Sequence, residues 1–314
     1  MKAAFKYFII WLLITTAATV MVYLIGSIIL TSTGHPINNI SDLGDNVWIT
    51  AIALLLADLI ILLVFWKRRY TRFGTDFGFT FGEEFSSKNL YLWCIVGAIG
   101  CLLFDLMAEC YLPIPENPEV IETLMQMMTN PIGLISVCLI GPLTEEVIFR
   151  GAIERRLLEK YKNPWIAIVV SALFFAVAHF NFAQAFTAIV IGIFMGWIYY
   201  RTRSIWPTVV IHVVNNTAAS VFALIAPETM QAEDYAPSLD VGIIMFLISI
   251  MLIYLTVKFI AHMTKDRTPI PVPVNEVLPP PLPVEAVTGT PMPDESVLGT
   301  PLPDEPDNPQ PPQI

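Results

Sequence analysis

Charged side chains are scarce in this chain of 314 residues. Lys, Arg, Asp and Glu make up 14% of it, against roughly a quarter in ordinary soluble domains, while 55% of the residues are hydrophobic. This balance excludes a soluble globular domain of such length. Cysteine is also scarce, and the spacing of the four present is not that of a zinc site. We interpret them as small apolar packing residues: Cys94, Cys101, Cys110 and Cys138.

Long apolar runs account for the composition. Stretches of about 20 apolar residues are typical of transmembrane helices. We therefore predict an all-α polytopic membrane domain over 1–262. Its eight predicted spans are 8–30, 47–66, 90–110, 131–153, 163–181, 183–200, 204–225 and 241–261. The first run, Tyr7 to Leu30, exceeds the roughly 7–15 residues of a signal-peptide core, which favours a retained helix over cleavage.

Basic residues are absent from the loops that follow odd-numbered spans. All 17 Lys and Arg lie in the N-terminal tail or in and after even-numbered spans, and the loops 31–46, 111–130 and 226–240 contain none. The positive-inside rule then predicts a multi-pass protein of the cell membrane with both termini in the cytoplasm. The net charge of −10 comes from acids in the outer loops and the C-terminal tail, so we expect no nucleic-acid partner.

Two segments outside the spans have patterns of their own. In loop 111–130, apolar residues after Pro118 recur at helical spacing, which predicts a short helix. It is either amphipathic and lies on the outer membrane surface, or it is a simple connector.

The second segment, 263–314, holds 15 of the 25 prolines, and seven acids and no base follow Arg267. We expect a disordered cytoplasmic tail, because such a segment cannot bury enough apolar surface to offset its ordering entropy. It contains a tandem decapeptide, 287–296 and 297–306. The stretch LPPPLP (278–283) resembles a polyproline II ligand, so the tail either binds a polyproline-binding partner or stays solvated without one.

Strongly polar side chains interrupt the fourth, fifth and seventh predicted spans. Such groups are costly in a bilayer and are therefore functional candidates by default. They are Glu145, Glu146, Arg150, His179, His212, Asn215 and Asn216. Three further acids lie in or near the membrane without a role that the pattern assigns: Asp58, Asp105 and Glu109.

Helical spacing sorts the candidates by face. Glu146 and Arg150 are four residues apart, so they share a face and can neutralise each other. Glu145 points about 100° away from Glu146 and has no obvious basic partner in its own helix. His212 and Asn216 again project together. Three helices can thus present a carboxylate, an imidazole and an imidazole–amide pair to one cavity.

These groups fit the hydrolysis of a peptide bond. A carboxylate withdrawn from water can act as a general base near neutral pH, and a histidine opposite it can hold a water between them. A second imidazole and an amide are suitable donors to an oxyanion. No Ser or Cys is obviously paired with a base, and no HExxH occurs, so the pattern favours neither an acyl-enzyme nor a zinc enzyme. We expect no cofactor and no metal.

Structural interpretations of the same residues stay open. Arg150 alone would snorkel to the inner interface, and Glu146 with Arg150 would form an ion pair without a catalytic role. Asn215 and Asn216 alone would serve as interhelical hydrogen bonds. A proton-coupled transporter is a weaker alternative, because the helices lack an internal repeat and a pair of broken helices.

Three short motifs resemble a known family. EEVIFR (145–150), FAVAH (175–179) and HVVNN (212–216) follow in order the marks EExxxR, FxxxH and HxxxN of the CPBP or Abi proteins. These are intramembrane glutamic proteases that resemble type II CAAX prenyl endopeptidases. The resemblance covers a core of about 131–225 and implies an intramembrane endopeptidase without a metal.

The resemblance also implies roles for single residues. Glu145 would activate a water with the help of His179, and His212 with Asn216 would form the oxyanion hole. Glu146 and Arg150 would organise the helix around them. The implied substrate is a peptide or membrane-anchored protein, lipidated CAAX-like or not. The alternative is a non-catalytic bacteriocin-immunity or membrane scaffold protein on the same fold.

Overall fold

The computed structural model describes residues 1–34, 41–44, 46–72, 88–112, 118–225 and 236–265. Within these ranges the chain is helical and forms no strand, which confirms the predicted all-α class. The described ranges contain nine helices of more than one turn: α1 (Lys2–Ser32), α2 (Val47–Arg72), α3 (Lys88–Tyr111), α4 (Pro118–Thr129), α5 (Pro131–Lys160), α6 (Pro164–Val177), α7 (Phe182–Thr202), α8 (Trp206–Ile225) and α9 (Leu239–Met263).

Seven of the described helices are long and apolar enough to cross a membrane, namely all except α4 and α6. Their outer faces carry large apolar side chains, such as Leu24 at 62% exposure and Ile28 at 69%. In water such a surface would drive aggregation, whereas lipid solvates it. The protein is therefore a multi-pass helical membrane bundle, as predicted.

The fifth predicted span, 163–181, is shorter than expected. Its helix, α6, has 14 residues and is about 21 Å long, less than the ~30 Å of a hydrocarbon core. Asn163 caps its start by accepting from the amide of Trp165. At its end the amides of His179 and Phe180 form tight turns to Ala176 and Val177, so the prediction that this helix reaches residue 181 is wrong.

Helix α5 lies at the centre of the bundle. Half of the residues in its most apolar stretch are buried inside the bundle, the largest share among the seven helices long enough to cross a membrane. Its side chains Ile148, Phe149 and Ile153 are completely buried. Helices α1, α2, α6, α7 and α8 all pack against it. The helix continues to Lys160, beyond the predicted end at 153, so Glu154 lies within it.

Helix α4 confirms the short helix predicted after Pro118. It packs against α2, α5 and α8, and Met127 on its inner face is 3% exposed. A side chain at Gly133 would lie 2.3 Å from the carbonyl oxygen of Met127, so glycine permits the close approach of α4 and α5. The helix therefore packs against the bundle, and both of its predicted roles, a surface helix or a connector, stay predictions.

Small and hydroxyl residues bring α3 and α9 together. The hydroxyl of Ser249 donates to the carbonyl of Gly100 at 2.9 Å, and that of Thr256 donates to the carbonyl of Trp93 at 3.2 Å. Small residues allow this backbone approach, which is the usual basis of helix association in lipid. Cys94 and Cys101 are buried in the same region, in keeping with their predicted packing role.

Several predictions concern parts of the chain outside the described residues. The tail after residue 265, with its decapeptides and LPPPLP, lies outside them. Its disorder, its polyproline-binding partner and the division of the chain at 262 therefore stay predictions.

Replacing Gly100 by Ala should destabilise the bundle. The new methyl group would lie 2.9 Å from Cγ1 and 3.2 Å from the amide nitrogen of Ile253, a backbone contact that forces α3 and α9 apart at a cost of about 1–3 kcal/mol. In a helix without such contacts, Gly→Ala stabilises by up to about 1 kcal/mol. Thermal unfolding in detergent measures the difference. Gly44→Ala is the control, since its methyl group would meet only the Tyr23 hydroxyl at 3.8 Å. Equal midpoints for both variants would contradict this packing.

Candidate active site

Helix α5 is irregular where it carries the acidic motif. Residues Ser136–Ile140 and Val147–Glu154 are wound as π-helix, and Gly141–Glu146 between them is α-helical. In the first π turn the amide of Gly141 donates to the carbonyl of Ser136. A Cβ at Gly141 would lie 2.8 Å from that carbonyl oxygen, so glycine allows the wide turn. Such π segments occur frequently at functional sites.

Proline at position 142 leaves one carbonyl of the π turn without a partner. The next amide in the ladder would be that of Pro142, which has no N–H to donate to Val137. The side-chain amide of Asn216 on α8 donates to the Val137 carbonyl instead, at 3.0 Å. Asn216 thus forms the interhelical hydrogen bond that one interpretation of the sequence expected, and the amide group is oriented by it.

Glu146 and Arg150 form a completely buried ion pair. Nη1 of Arg150 lies 2.9 Å from Oε1 of Glu146, and the two side chains are 1% and 0% exposed. Nη2 donates to the carbonyl of Gly192 on α7 at 3.2 Å, and the guanidinium lies over the Phe175 ring at 4.6 Å. The shared face predicted for this pair is confirmed, and Arg150 does not reach a surface.

His212 joins the two glutamates. Its Nδ1 is 3.0 Å from Oε1 of Glu146; because an ionised carboxylate can only accept, Nδ1 carries the proton of this bond. Its Nε2 lies 3.6 Å from Oε2 of Glu145, whose side chain is 31% exposed. The buried glutamate therefore orients the ring, and the ring presents its other nitrogen to the accessible glutamate.

His179 lies in the turn after α6 rather than within the helix as predicted. Its Nδ1 lies 2.9 Å from the carbonyl of Phe175, which can only accept, so Nδ1–H donates and Nε2 is left as the free ring nitrogen. Phe175 is the shared neighbour of both histidines, with ring centroids 4.9 Å from His179 and 5.7 Å from His212. The FxxxH spacing thus fixes both rings through one aromatic side chain.

One cavity of about 370 Å³ connects these groups. Four of the predicted site residues line it, and they come from α5, from the turn after α6 and from α8: Glu145, His179, His212 and Asn216. Glu146 and Arg150 lie behind this wall and are not part of the lining. The sequence separated the same two groups by helical face.

Polar residues outside the predicted catalytic set also line the cavity. Asp58 from α2, Asp105 from α3 and Asn215 from α8 belong to its wall. Both aspartates stood out in the sequence because charge is costly within a membrane. The sequence pattern did not show which part of the bundle they face. A further acid, Glu154, went unnoticed; it is completely buried, and neither of its oxygens has a hydrogen-bond partner among the described residues. Its spacing of four from Arg150 was the available signal.

The described residues contain no group of three or more His, Cys, Asp or Glu side chains placed to hold a metal ion. The four predicted catalytic residues bring two imidazoles, a carboxylate and an amide to the cavity. Such a set can move a proton and stabilise a negative oxygen.

Comparison with known proteins matches the segment that carries the site. Residues 128–218 fit a family model described as type II CAAX prenyl endopeptidase Rce1-like. The putative membrane peptidase YdiL of Bacillus subtilis (strain 168) is 28% identical over 130 residues, which are 41% of this chain and 50% of that protein. The membrane-embedded CAAX protease MroQ of Staphylococcus aureus (strain USA300) is 25% identical over 154 residues, 46% of this chain and 62% of that protein.

The chain therefore spans between half and two thirds of the length of these curated relatives. No solved structure matches it. All three motifs fall within the matched segment. The resemblance predicted from EEVIFR, FAVAH and HVVNN is thereby confirmed, and the segment that carries the three motifs is similar to the Rce1-like type II CAAX prenyl endopeptidases.

Proposed function

We propose that this protein is an intramembrane endopeptidase of the glutamic type, which hydrolyses a peptide bond in a membrane-associated peptide or protein. One observation carries the proposal: Glu145, His179, His212 and Asn216, from three separate segments, line a single cavity within a membrane bundle. The match of residues 128–218 to a peptidase family supports it independently.

The first step is attack by water on the scissile carbonyl. Glu145 is the accessible member of the glutamate pair, so it takes a proton from a water molecule as the oxygen bonds to carbon. The free Nε2 of His179 holds this water from the other side. Glu146 cannot serve instead, because its carboxylate is completely buried between Arg150 and His212.

The second step is stabilisation of the resulting oxyanion. A His212 that keeps its Nδ1–H bond to Glu146 and is protonated at Nε2 presents an N–H to the cavity. Asn216 has two N–H groups and gives one to Val137, so the other remains for the substrate. Donors held in place before the reaction are worth several kcal/mol at such a centre.

The substrate class follows from the setting. The cavity lies among membrane helices, so a peptide must reach it from the bilayer or from a membrane surface. The relative MroQ is named a CAAX protease, and on that ground we include lipidated CAAX-like peptides beside unmodified ones. Neither cofactor nor metal has a part in the proposed steps.

Removal of either residue that activates the water should slow hydrolysis strongly. Glu145→Gln and His179→Ala should each lower the cleavage rate by about 10²–10⁴-fold, the usual contribution of general acid–base groups. Purified protein in proteoliposomes would receive a farnesylated CAAX peptide and its unlipidated counterpart in ¹⁸O-water. Mass spectrometry then detects one ¹⁸O in the newly formed carboxylate.

Two controls define this experiment. Glu119→Gln changes an exposed carboxylate of α4 that is not part of the cavity wall, and should cleave like wild type. A chelator should leave the cleavage rate unchanged, and inhibition of cleavage by the chelator would contradict metal independence. If wild type incorporates no ¹⁸O in either peptide, the non-catalytic immunity or scaffold function replaces this proposal.

Glu146 should differ from Glu145 in its effect on stability. Glu146→Gln leaves Arg150 buried without its counter-charge, which costs about 3–5 kcal/mol. Glu145→Gln removes a partly exposed carboxylate and should change the thermal unfolding midpoint little. The double variant Glu146→Gln/Arg150→Met removes both charges and should recover part of the loss. A Glu146→Gln protein as stable as wild type would refute the structural role of the pair.

With the short α6 as an eighth crossing beside the seven long spans, both termini should lie in the cytoplasm, because every Lys and Arg falls on that side in the predicted topology. Alkaline phosphatase fused after Lys265 should be inactive, and the same enzyme inserted between α3 and α4 should be active. Green fluorescent protein at the two positions should give the opposite pattern. Fluorescence from the protein inserted before α4 would contradict this prediction and indicate the opposite topology.

A further inference from the structure

Asp58 lies at the cavity although it belongs to none of the three motifs. It is on α2, outside the segment that matches the peptidase family. Its side chain is buried, with 6% of the residue exposed, and it forms part of the cavity wall. Its Oδ2 has no hydrogen-bond partner among the described residues. A buried carboxylate oxygen without a partner is costly, so its retention beside the cavity calls for a reason.

The position of Asp58 relative to Glu145 suggests that reason. A Cβ placed on Gly141 would lie 3.8 Å from Oδ2 of Asp58, and Gly141 precedes Glu145 by one helical turn on the same face. The two carboxylates lie close enough for their charges to interact. None of the described residues that line the cavity is Lys or Arg, so no side-chain cation other than a protonated histidine offsets a second negative charge.

Thr144 lies beside Asp58 and limits what the aspartate can bond. Its hydroxyl donates to the carbonyl of Ile140 at 2.8 Å, so the hydrogen-bonding capacity left on this oxygen is that of an acceptor. A protonated Asp58 can donate to this oxygen, whereas an ionised Asp58 can accept from Thr144 only if the hydroxyl gives up its bond to Ile140. A proton carried by Asp58 would leave the two carboxyl groups with one negative charge in total, the arrangement by which paired carboxyl groups divide acid and base roles.

We propose that Asp58 is a further catalytic residue, the acid that gives its proton to the departing amine. The inference rests on the proposed endopeptidase function and deepens it. Glu145 would then act as the base and Asp58 as the acid. The three motifs supply no proton donor for the departing amine, and α2 would provide it.

The proton balance of the cycle closes with water alone. Water adds its oxygen to the carbonyl carbon and gives a proton to Glu145. When the tetrahedral intermediate collapses, the carbon–nitrogen bond breaks and the nitrogen takes the proton of Asp58. The products are a carboxylic acid and an amine, and Glu145 is left protonated and Asp58 ionised. Return of the proton from Glu145 to Asp58 through cavity water restores both groups.

A change of leaving group tests this role. The substrate is whichever peptide, farnesylated or unlipidated, wild type cleaves in the isotope experiment, compared with its thioester analogue carrying sulfur in place of the scissile nitrogen. A thiol ionises near pH 8.5, so a thiolate departs without needing the proton that an amine requires. Asp58→Asn should lower kcat on the amide by about 100-fold or more and that on the thioester by less than about threefold. Asp58→Glu should restore part of the amide rate.

Asp105→Asn is the matched control, since it makes the same charge change elsewhere on the cavity wall. Its effect, whatever its size, should be equal for the two substrates. The inference is overturned if Asp58→Asn leaves the amide rate unchanged or slows both substrates equally while wild type remains active. If wild type itself cleaves neither substrate in a Glu145-dependent manner, the proposed function has failed instead. Thermal unfolding of Asp58→Asn verifies that the variant is folded.

Discussion

Arg150 holds a full positive charge at the centre of a membrane bundle, and the arrangement around it follows from the need to neutralise that charge. Glu146 lies one turn away on the same helix, the Gly192 carbonyl comes from α7, and the Phe175 ring comes from the end of α6. Glu146 in turn holds His212 of α8. One ion pair therefore fixes the relative positions of four helices, and the histidine that faces Glu145 is oriented by a group that does not face the cavity.

The irregular winding of α5 solves a second problem, since lipid offers no water to backbone groups. Pro142 and the π turn before it leave the Val137 carbonyl without a helical partner, and Asn216 supplies one. At the next π segment the carbonyl of Phe149 accepts from the hydroxyl of Ser171 on α6. These departures from the α-helix thus tie α6 and α8 to α5.

The sequence predicted the fold class, four of the eight spans to within two residues at both ends, and the separation of Glu145 from the Glu146–Arg150 pair. These depend on local composition and on spacing of four, which an α-helix converts directly into shared faces. The end of α6 before His179 and the continuation of α5 past residue 153 were missed, because caps and π turns decide them. Asp58 could be marked as unusual but not placed, since its neighbours come from a helix more than 80 residues away along the chain.

The shortness of α6 has a consequence for the surrounding lipid. With 14 residues it covers about 21 Å, and the chain that follows exposes Phe180, before α7, and Phe182, at the start of α7, at 72% and 71%. A bilayer with a hydrocarbon layer of ~30 Å must become thinner beside this helix, or the helix must lie deeper in the bilayer. This hydrophobic mismatch costs a fraction of a kcal/mol per Å. We therefore expect acyl-chain length to influence how deeply solvent reaches toward His179 beside this short helix.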